Sequence, residues 1–554
     1  MDRGEGREDG LGGASSSSSR RDITGAASVV GSATLLSRIL GYVRDAVIAA
    51  LFGAGFETDI FFVAYRIPNF FRRLVGEGAL TASIVPVFTE EIGADSSLSM
   101  ERRAALAAKF FTLFAIIFLV ITLLGILFAP QLVDLMAPGF ASTVEKHGLT
   151  VSMTRWMFPF LFFIGLFAVA MALLNSLKHF MAPALAPALF NITIIASVIL
   201  LSALLSNPLY ALAIGVVIGG AAQALFQLPY LKRFGVSPRL TWDLRDGALG
   251  RVLLLMGPYA LGVGVYQINI FITQRFASGL AEGSISYLYY ADRLVQLPFG
   301  VFGVALATAA LPSMSRHAME GEWSAFREAF SFSIRIVNFI IIPSMVGLVV
   351  LGIPIISLLF QRGLFDEQAV NGTAIALYFY SAGLVAFAST KIAASAFYSL
   401  KDTKTPVIAA VASVAVNLIL CLLLMKPLRH GGLALATSLA SFMNLLILIA
   451  VLRRRMGGVG GGEIVRSAVK VSIASIIMGI GAYGVYTAGG WYGDSSLWKA
   501  TVLTAALLSG ACIYVISAYL LRVYEMRFLS GIVMEKIGKI RGIKDGNDKG
   551  EKMR

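Results

Sequence analysis

Charge and sulfur are both scarce in this chain. Only 14% of its 554 residues are Asp, Glu, Lys or Arg, against about 25% in a soluble chain of ordinary composition. Its two cysteines, Cys421 and Cys512, lie inside apolar runs, which excludes a disulfide framework. The four histidines, His147, His179, His317 and His430, are far apart, and no metal-ligand spacing links them. No metal or other cofactor is expected. The N-terminal "MDRGEGREDGLGGASSSSSRRDIT" lacks the apolar core of a signal peptide. There is no P-loop, no HExxH and no nucleophile–base pair. The Gly-rich "GGVGGGE" at 457–463 fails the dinucleotide spacing and reads as a linker. No catalytic residue can be assigned, and chemistry on a covalent bond is not expected.

What the chain has is apolar length: 57% of it is hydrophobic. A membrane-crossing helix needs about 20 mostly apolar residues, and fourteen stretches between positions 24 and 521 meet that need. The loops between them carry charge on alternate sides. Loop 232–251 holds Lys232, Arg233, Arg239, Arg245 and Arg251, and loop 453–466 holds Arg453, Arg454, Arg455 and Arg466. The opposite loops "GAGFET", "SNPL" and "GGWYGDSS" hold no base; Lys146, Arg362, Lys426 and Arg429 are exceptions. Cytoplasmic loops carry the excess of Lys and Arg, so both termini are expected in the cytoplasm. The net charge of +14 then belongs to basic cytoplasmic loops and not to a nucleic-acid surface.

Two short patterns recur at nearly one offset. "SLKHFMAP" at 176–183 and "SLKDTKTP" at 399–406 share S-L-K-x-x-x-x-P, and "GALTASIVP" at 78–86 matches "VALATAALP" at 304–312. An internal repeat with an even number of spans per copy keeps both copies in one orientation. The expectation is an all-α polytopic membrane protein of about 14 transmembrane helices, with two six-helix lobes and two extra helices. Its parts are a disordered tail 1–22, a first lobe 23–234, a second lobe 245–456, the extra helices 464–523 and a basic tail 524–554.

Charge reappears where it costs most. Residues 37–88 read as two spans, yet they contain Arg38, Arg44, Arg66, Arg72 and Arg73 beside Asp45, Asp59 and Glu77. Asp292 and Arg293 sit at similar depth in span eight. Four arginines facing lipid would cost about 10 kcal/mol or more, so they are expected to line a water-filled cavity between the halves. The acids are too few to neutralise them, which calls for an anionic ligand. Arginine's planar fork matches phosphate oxygens, and a diphosphate fits best. Arg38, Arg44, Arg72 and Arg293 are the candidate ligand residues. Asp45, Asp59, Arg66, Asn69, Glu77, Asp292 and Lys391 are candidate supporting residues. Arg66 and Arg73 read equally well as packing ion-pair partners. Pro68 removes a backbone donor and can kink span two.

The stretches "SRILGYVRDA", "FGAGFETDIFFVAYRIPNFFRRL", "GEGA", "SYLYYADRL" and "FYSLKDTKTPV" resemble the MurJ (MviN) family of bacterial lipid II flippases. That family lies within the multidrug/oligosaccharidyl-lipid/polysaccharide exporter superfamily. The resemblance runs from about 23 to 525. It implies two six-helix lobes around a central cavity and a groove for the polyprenyl tail made by the two extra helices. It also implies a role for the four arginines in the cavity. Gln296 stands where some members carry an acid. No interior carboxylate marks spans seven, eleven and twelve, and Asn417 alone is a poor sodium ligand. The implied function is transport of lipid II, the undecaprenyl-diphosphate-linked peptidoglycan precursor, across the bacterial inner membrane. Membrane lipids and the cell-wall synthesis machinery are its implied partners. A related exporter of another polyprenyl-linked glycan or a drug is the first alternative. A membrane glycosyltransferase is the second, but no sizeable loop pairs acids for it.

Overall fold

The computed structural model describes residues 12–76, 78–92, 99–237, 239–490 and 495–531. Glu77, the first residues of the expected N-terminal tail and 532–554 of the basic tail lie outside the described residues. Among the described residues every regular element is helical. Packing divides the chain into two units, Met1–Gly279 and Leu280–Arg554.

The first unit contains α1 (Gly12–Phe52), α2 (Phe56–Phe71), α3 (Ala79–Ile92), α4 (Ser99–Leu127), α5 (Ala129–Met136), α6 (Val144–Met157), α7 (Pro159–Ser176), α8 (Met181–Leu201), α9 (Leu209–Arg233) and α10 (Gly247–Ala277). Lipid tails are as apolar as leucine, so helices in a membrane associate through close packing and small residues. In α9, a Cβ on Gly219 would sit 2.7 Å from the Phe190 ring of α8, and one on Gly220 would sit 2.7 Å from the Phe160 ring of α7. These glycines let the α9 backbone approach α7 and α8 over the buried Phe160 and Phe190 rings.

The second unit contains α11 (Ser284–Pro298), α12 (Val304–Glu320), α13 (Trp323–Val350), α14 (Gly352–Phe360), α15 (Glu367–Ala382), α16 (Leu384–Ser399), α17 (Lys404–Met456), α18 (Gly461–Gly489) and α19 (Ser496–Leu520). The order of the first unit returns here. A π-helical turn, Arg72–Gly76, joins α2 to the start of α3, and a π-helical turn, Phe299–Gly303, joins α11 to α12. Lys178 after α7 and Lys401 after α16 both adopt left-handed backbone, with φ of 60° and 58°. The internal repeat inferred from two short patterns is therefore written in backbone geometry as well. α18 and α19 have no earlier counterpart. They pack together and against α13 through Val471, Ala474, Met478, Tyr514 and Ala518, with Phe339 and Ile342.

Nine helices among the described residues are long and apolar enough to cross a membrane, or ten if the bent pair α15–α16 is one span. α17 is two helices joined across a kink at Arg429. With α1, α2–α3 and α10, which hold more charge or are broken, the set is compatible with fourteen crossings.

One helix packs away from its expected group. α10 opens the sequence interval 245–456 read as the second lobe, yet it packs on α3, α5 and the first π-helical turn. Near its far end Arg66 donates to the Gln274 side chain at 2.8 Å and the Gly139 amide donates to Ser278 Oγ at 3.2 Å. Gly78, with φ of +78°, leaves room for Tyr259 of α10, whose hydroxyl would lie 2.1 Å from any Cβ there.

Candidate functional site: buried charge in the first unit and its echo in the second

Arg44 of α1 and Asp59 and Arg66 of α2 are held from other helices. Arg44 and Asp45 are both buried, 8% and 1% exposed. The Arg44 guanidinium donates to Asp45 Oδ1 from Nε at 3.0 Å and from Nη2 at 2.7 Å. Its Nη1 donates to Asn191 Oδ1 of α8 at 3.1 Å, and Asn191 Nδ2 donates back to the Ser37 carbonyl at 3.1 Å. Asn191 thus ties α8 to α1. A buried ion pair survives desolvation only when further hydrogen bonds satisfy its remaining donors, and Asn191 supplies one. Arg38, on the same helix, is half-buried and makes no hydrogen bond or ion pair among the described residues.

Asp59, 2% exposed, pairs with Lys146 of α6 at 3.5 Å. Lys146 lies over the rings of Phe56 and Phe140, at 5.2 and 4.5 Å from their centroids. Lys146 is an exception to the loop charge rule, and its buried partner explains it: it serves a carboxylate inside the unit. Asp59, Arg66 and Arg73 share a face by their spacing, but their surroundings differ. Asp59 pairs with Lys146, Arg66 donates to Gln274, and Arg73 is exposed.

Pro68 and Asn69 shape the end of α2. Proline has no N–H, so the ladder loses one bond there. The Arg72 amide then divides between the Asn69 and Pro68 carbonyls as the π-helical turn begins. Asn69 Nδ2 donates to the Tyr65 carbonyl at 3.0 Å, and its Oδ1 accepts from Arg72 Nε at 2.6 Å. Asn69 therefore fixes the direction of Arg72 at the point where the helix widens. Single π-helical turns are frequent at functional sites.

In the second unit, Asp292 and Arg293 are half-buried on α11, nearly two turns before the other π-helical turn. Gln296 Nε2 donates to Asp292 Oδ1 at 3.4 Å, so the neutral residue in that position holds a carboxylate where an acid would repel one. Lys391 on α16 is exposed and makes no hydrogen bond or ion pair among the described residues. Within the first unit the structure brings Arg44 together with Asp45, and Arg72 with Asn69. Asn191 and Gln274 were not among the residues the sequence singled out; Asn191 is the one amide in apolar α8, a signal that marks it, whereas Gln274 shares α10 with Gln267 and Asn269 and has no such mark.

The family model described as lipid II flippase MurJ matches residues 48–519. The chain is a member of the MurJ family. It is 38% identical over 427 residues to the probable lipid II flippase MurJ of Vibrio cholerae, across 76% of this chain and 81% of that one. It is 36% identical over 429 residues to the lipid II flippase MurJ of Burkholderia cenocepacia, across 76% and 82%. Among solved structures, a lipid II flippase MurJ in an inward closed conformation superposes with a TM-score of 0.73 at 28% identity, covering 89% of this chain and 98% of that one. An inward-facing MATE-family multidrug transporter of the MOP superfamily, at 16% identity, reaches 0.60 over 77% of this chain and 98% of its own; that likeness concerns the fold. The all-helical, MurJ-like fold expected from the sequence is the one observed.

Proposed function

We infer that this protein is a lipid II flippase. It moves the undecaprenyl-diphosphate-linked precursor from the cytoplasmic to the outer face of the bacterial inner membrane by alternating access. The observation that carries the reading is the family match over residues 48–519, which takes in Arg72 and Arg293. Arg38, Arg72 and Arg293 are half-buried and arginine-forked, suited to a diphosphate. Arg44, held by Asp45 and Asn191, reaches substrate only by exchanging a partner. No bond is broken, so the protein is a transporter and not an enzyme. The repeat gives two six-helix lobes, α18 and α19 carry the polyprenyl tail, and both termini face the cytoplasm. Cell-wall synthesis enzymes consume the delivered substrate and are natural partners.

The test is direct. Purified protein in vesicles with lipid II on one face should move it to the other, read by an enzyme that cleaves only exposed lipid II. Equal movement in protein-free vesicles would refute the reading. Polymer formed from lipid II by the purified protein would favour the glycosyltransferase alternative.

A further inference from the structure

Among the described residues, four that are not glycine have positive φ: Lys178, Lys401, Arg429 and Arg522. All four are basic. Only 46 of the 554 residues are Lys or Arg, and the side chains that tolerate left-handed backbone best are Asn, Asp and His, so neither composition nor conformational ease explains the choice. Three of the four end a helix in one way. The amide of the following residue bonds back five positions: His179 to the Leu174 carbonyl at 2.9 Å, Asp402 to Phe397 at 2.9 Å, and Val523 to Ala518 at 3.0 Å. This closing motif normally places glycine at the left-handed position. The same chain does so elsewhere: Gly235 and Gly321 are left-handed, with Val236 bonding to Leu231 at 3.0 Å and Glu322 to His317 at 2.9 Å. Glycine is thus used where only the turn matters, and a strained cation stands at the ends of α7, α16 and α19.

Those three cations are exposed, and their side chains make no hydrogen bond or ion pair among the described residues. Each stands within three residues of an exposed aromatic: Phe180 (39% exposed), Tyr398 (50%) and Tyr519 (62%). Aromatic rings beside lysine or arginine mark the headgroup level of a membrane. In the topology proposed above, all three helices end on the cytoplasmic face, whose anionic lipids attract basic residues.

We propose that Lys178, Lys401 and Arg522 are three separate contacts for the phosphate of anionic phospholipids. The left-handed turn swings each cation off its helix end toward the headgroups. The cost in backbone strain is retained because the charge is needed there. The proposal rests on the membrane topology and not on the identity of the transported lipid.

The test uses the full chain in nanodiscs of phosphatidylcholine, with and without phosphatidylglycerol. The variant is Lys178→Gly/Lys401→Gly/Arg522→Gly, with the corresponding triple Asn variant as a second neutral, left-handed-tolerant form. In phosphatidylcholine alone, both variants should melt at or above the wild-type temperature, since strain is relieved. With phosphatidylglycerol the wild type should gain thermal stability, and each variant should lose at least half of that gain. Retained phosphatidylglycerol, counted by native mass spectrometry, should fall about fivefold in occupancy per cation removed. A full gain retained by both variants would overturn the proposal. So would equal loss of stability in phosphatidylcholine discs, which would assign the cations to the helix ends themselves. Inorganic phosphate reproducing the gain in those discs would overturn the lipid assignment. None of these readings involves lipid II, so a failure of the flippase assignment is seen separately.

Discussion

Arg38 and Arg44 lie on one helix in opposite surroundings, and their substitutions should separate accordingly. Arg44→Ala breaks the buried Arg44–Asp45 pair and its tie to Asn191, a loss of about 3–5 kcal/mol, visible as a fall in melting temperature. Arg38→Ala removes a side chain with no bonded partner among the described residues and should change stability by no more than about 0.5 kcal/mol. If Arg38 grips the diphosphate, its loss should weaken lipid II binding by about 10- to 100-fold, as expected for one charge-assisted hydrogen bond. Unchanged binding would remove Arg38 from the site. The pair Asp59–Lys146 offers a cleaner electrostatic test. Asp59→Asn or Lys146→Met alone should be strongly destabilising, and Asp59→Leu with Lys146→Met should recover much of the loss. Equal, additive losses would mean the pair is not coupled. At this scale the charges were legible in the sequence, because ionised residues in apolar spans are rare and costly. Their partners were not. Asn191, Lys146 and Gln274 come from distant helices, and spacing along one helix does not reach them.

Helix ends were less legible in the sequence than the helices themselves. The recurrence of S-L-K-x-x-x-x-P revealed the duplication, but not the left-handed lysine inside it, since lysine is not a residue that announces such backbone. The two π-helical turns were equally hidden: only Pro68 hinted that α2 would change character. Asp402 shows how one such end is fastened. Its Oδ1 accepts from the amides of Lys404 and Thr405, both at 3.0 Å, and its Oδ2 accepts from the Thr405 hydroxyl at 2.6 Å and pairs with Arg455 at 2.7 Å. The Thr405 hydroxyl, its amide and Arg455 hold the Asp402 carboxyl at about 2, below the ordinary value of 3.8. A carboxyl whose value is lowered on folding adds stability that is fully present above 3.8 and is lost as pH falls toward 2. Asp402→Ala should therefore cost about 1 kcal/mol at neutral pH, as loss of a cap does. The gap between wild type and variant should close between pH 4 and pH 2. A gap independent of pH would place the effect elsewhere than in the carboxylate.

For the whole molecule, hydropathy was enough to indicate an all-helical membrane protein, because a bilayer permits so few solutions; the expected duplication came from the two recurring motifs. Neither indicated that α10 would pack on α3 and α5; the room that Gly78, just before α3, leaves for Tyr259 of α10 is a local fit that neither reads. The appended pair α18–α19 packs on α13 by one face, while Ile476 on α18 is 56% exposed. If that outer surface carries the polyprenyl tail, Ile476→Arg should reduce transport of long-tailed substrate far more than binding of a short-tailed analogue. Equal losses would refute the tail groove. The central claim is tested most directly in cells depleted of this protein and supplied with either wild type or Arg38→Ala, probing lipid II with an outer-face enzyme that cleaves it. Cleavable lipid II should disappear on depletion, accumulate uncleaved inside, and return with wild type but not with Arg38→Ala. Lipid II that stays fully cleavable after depletion would contradict it.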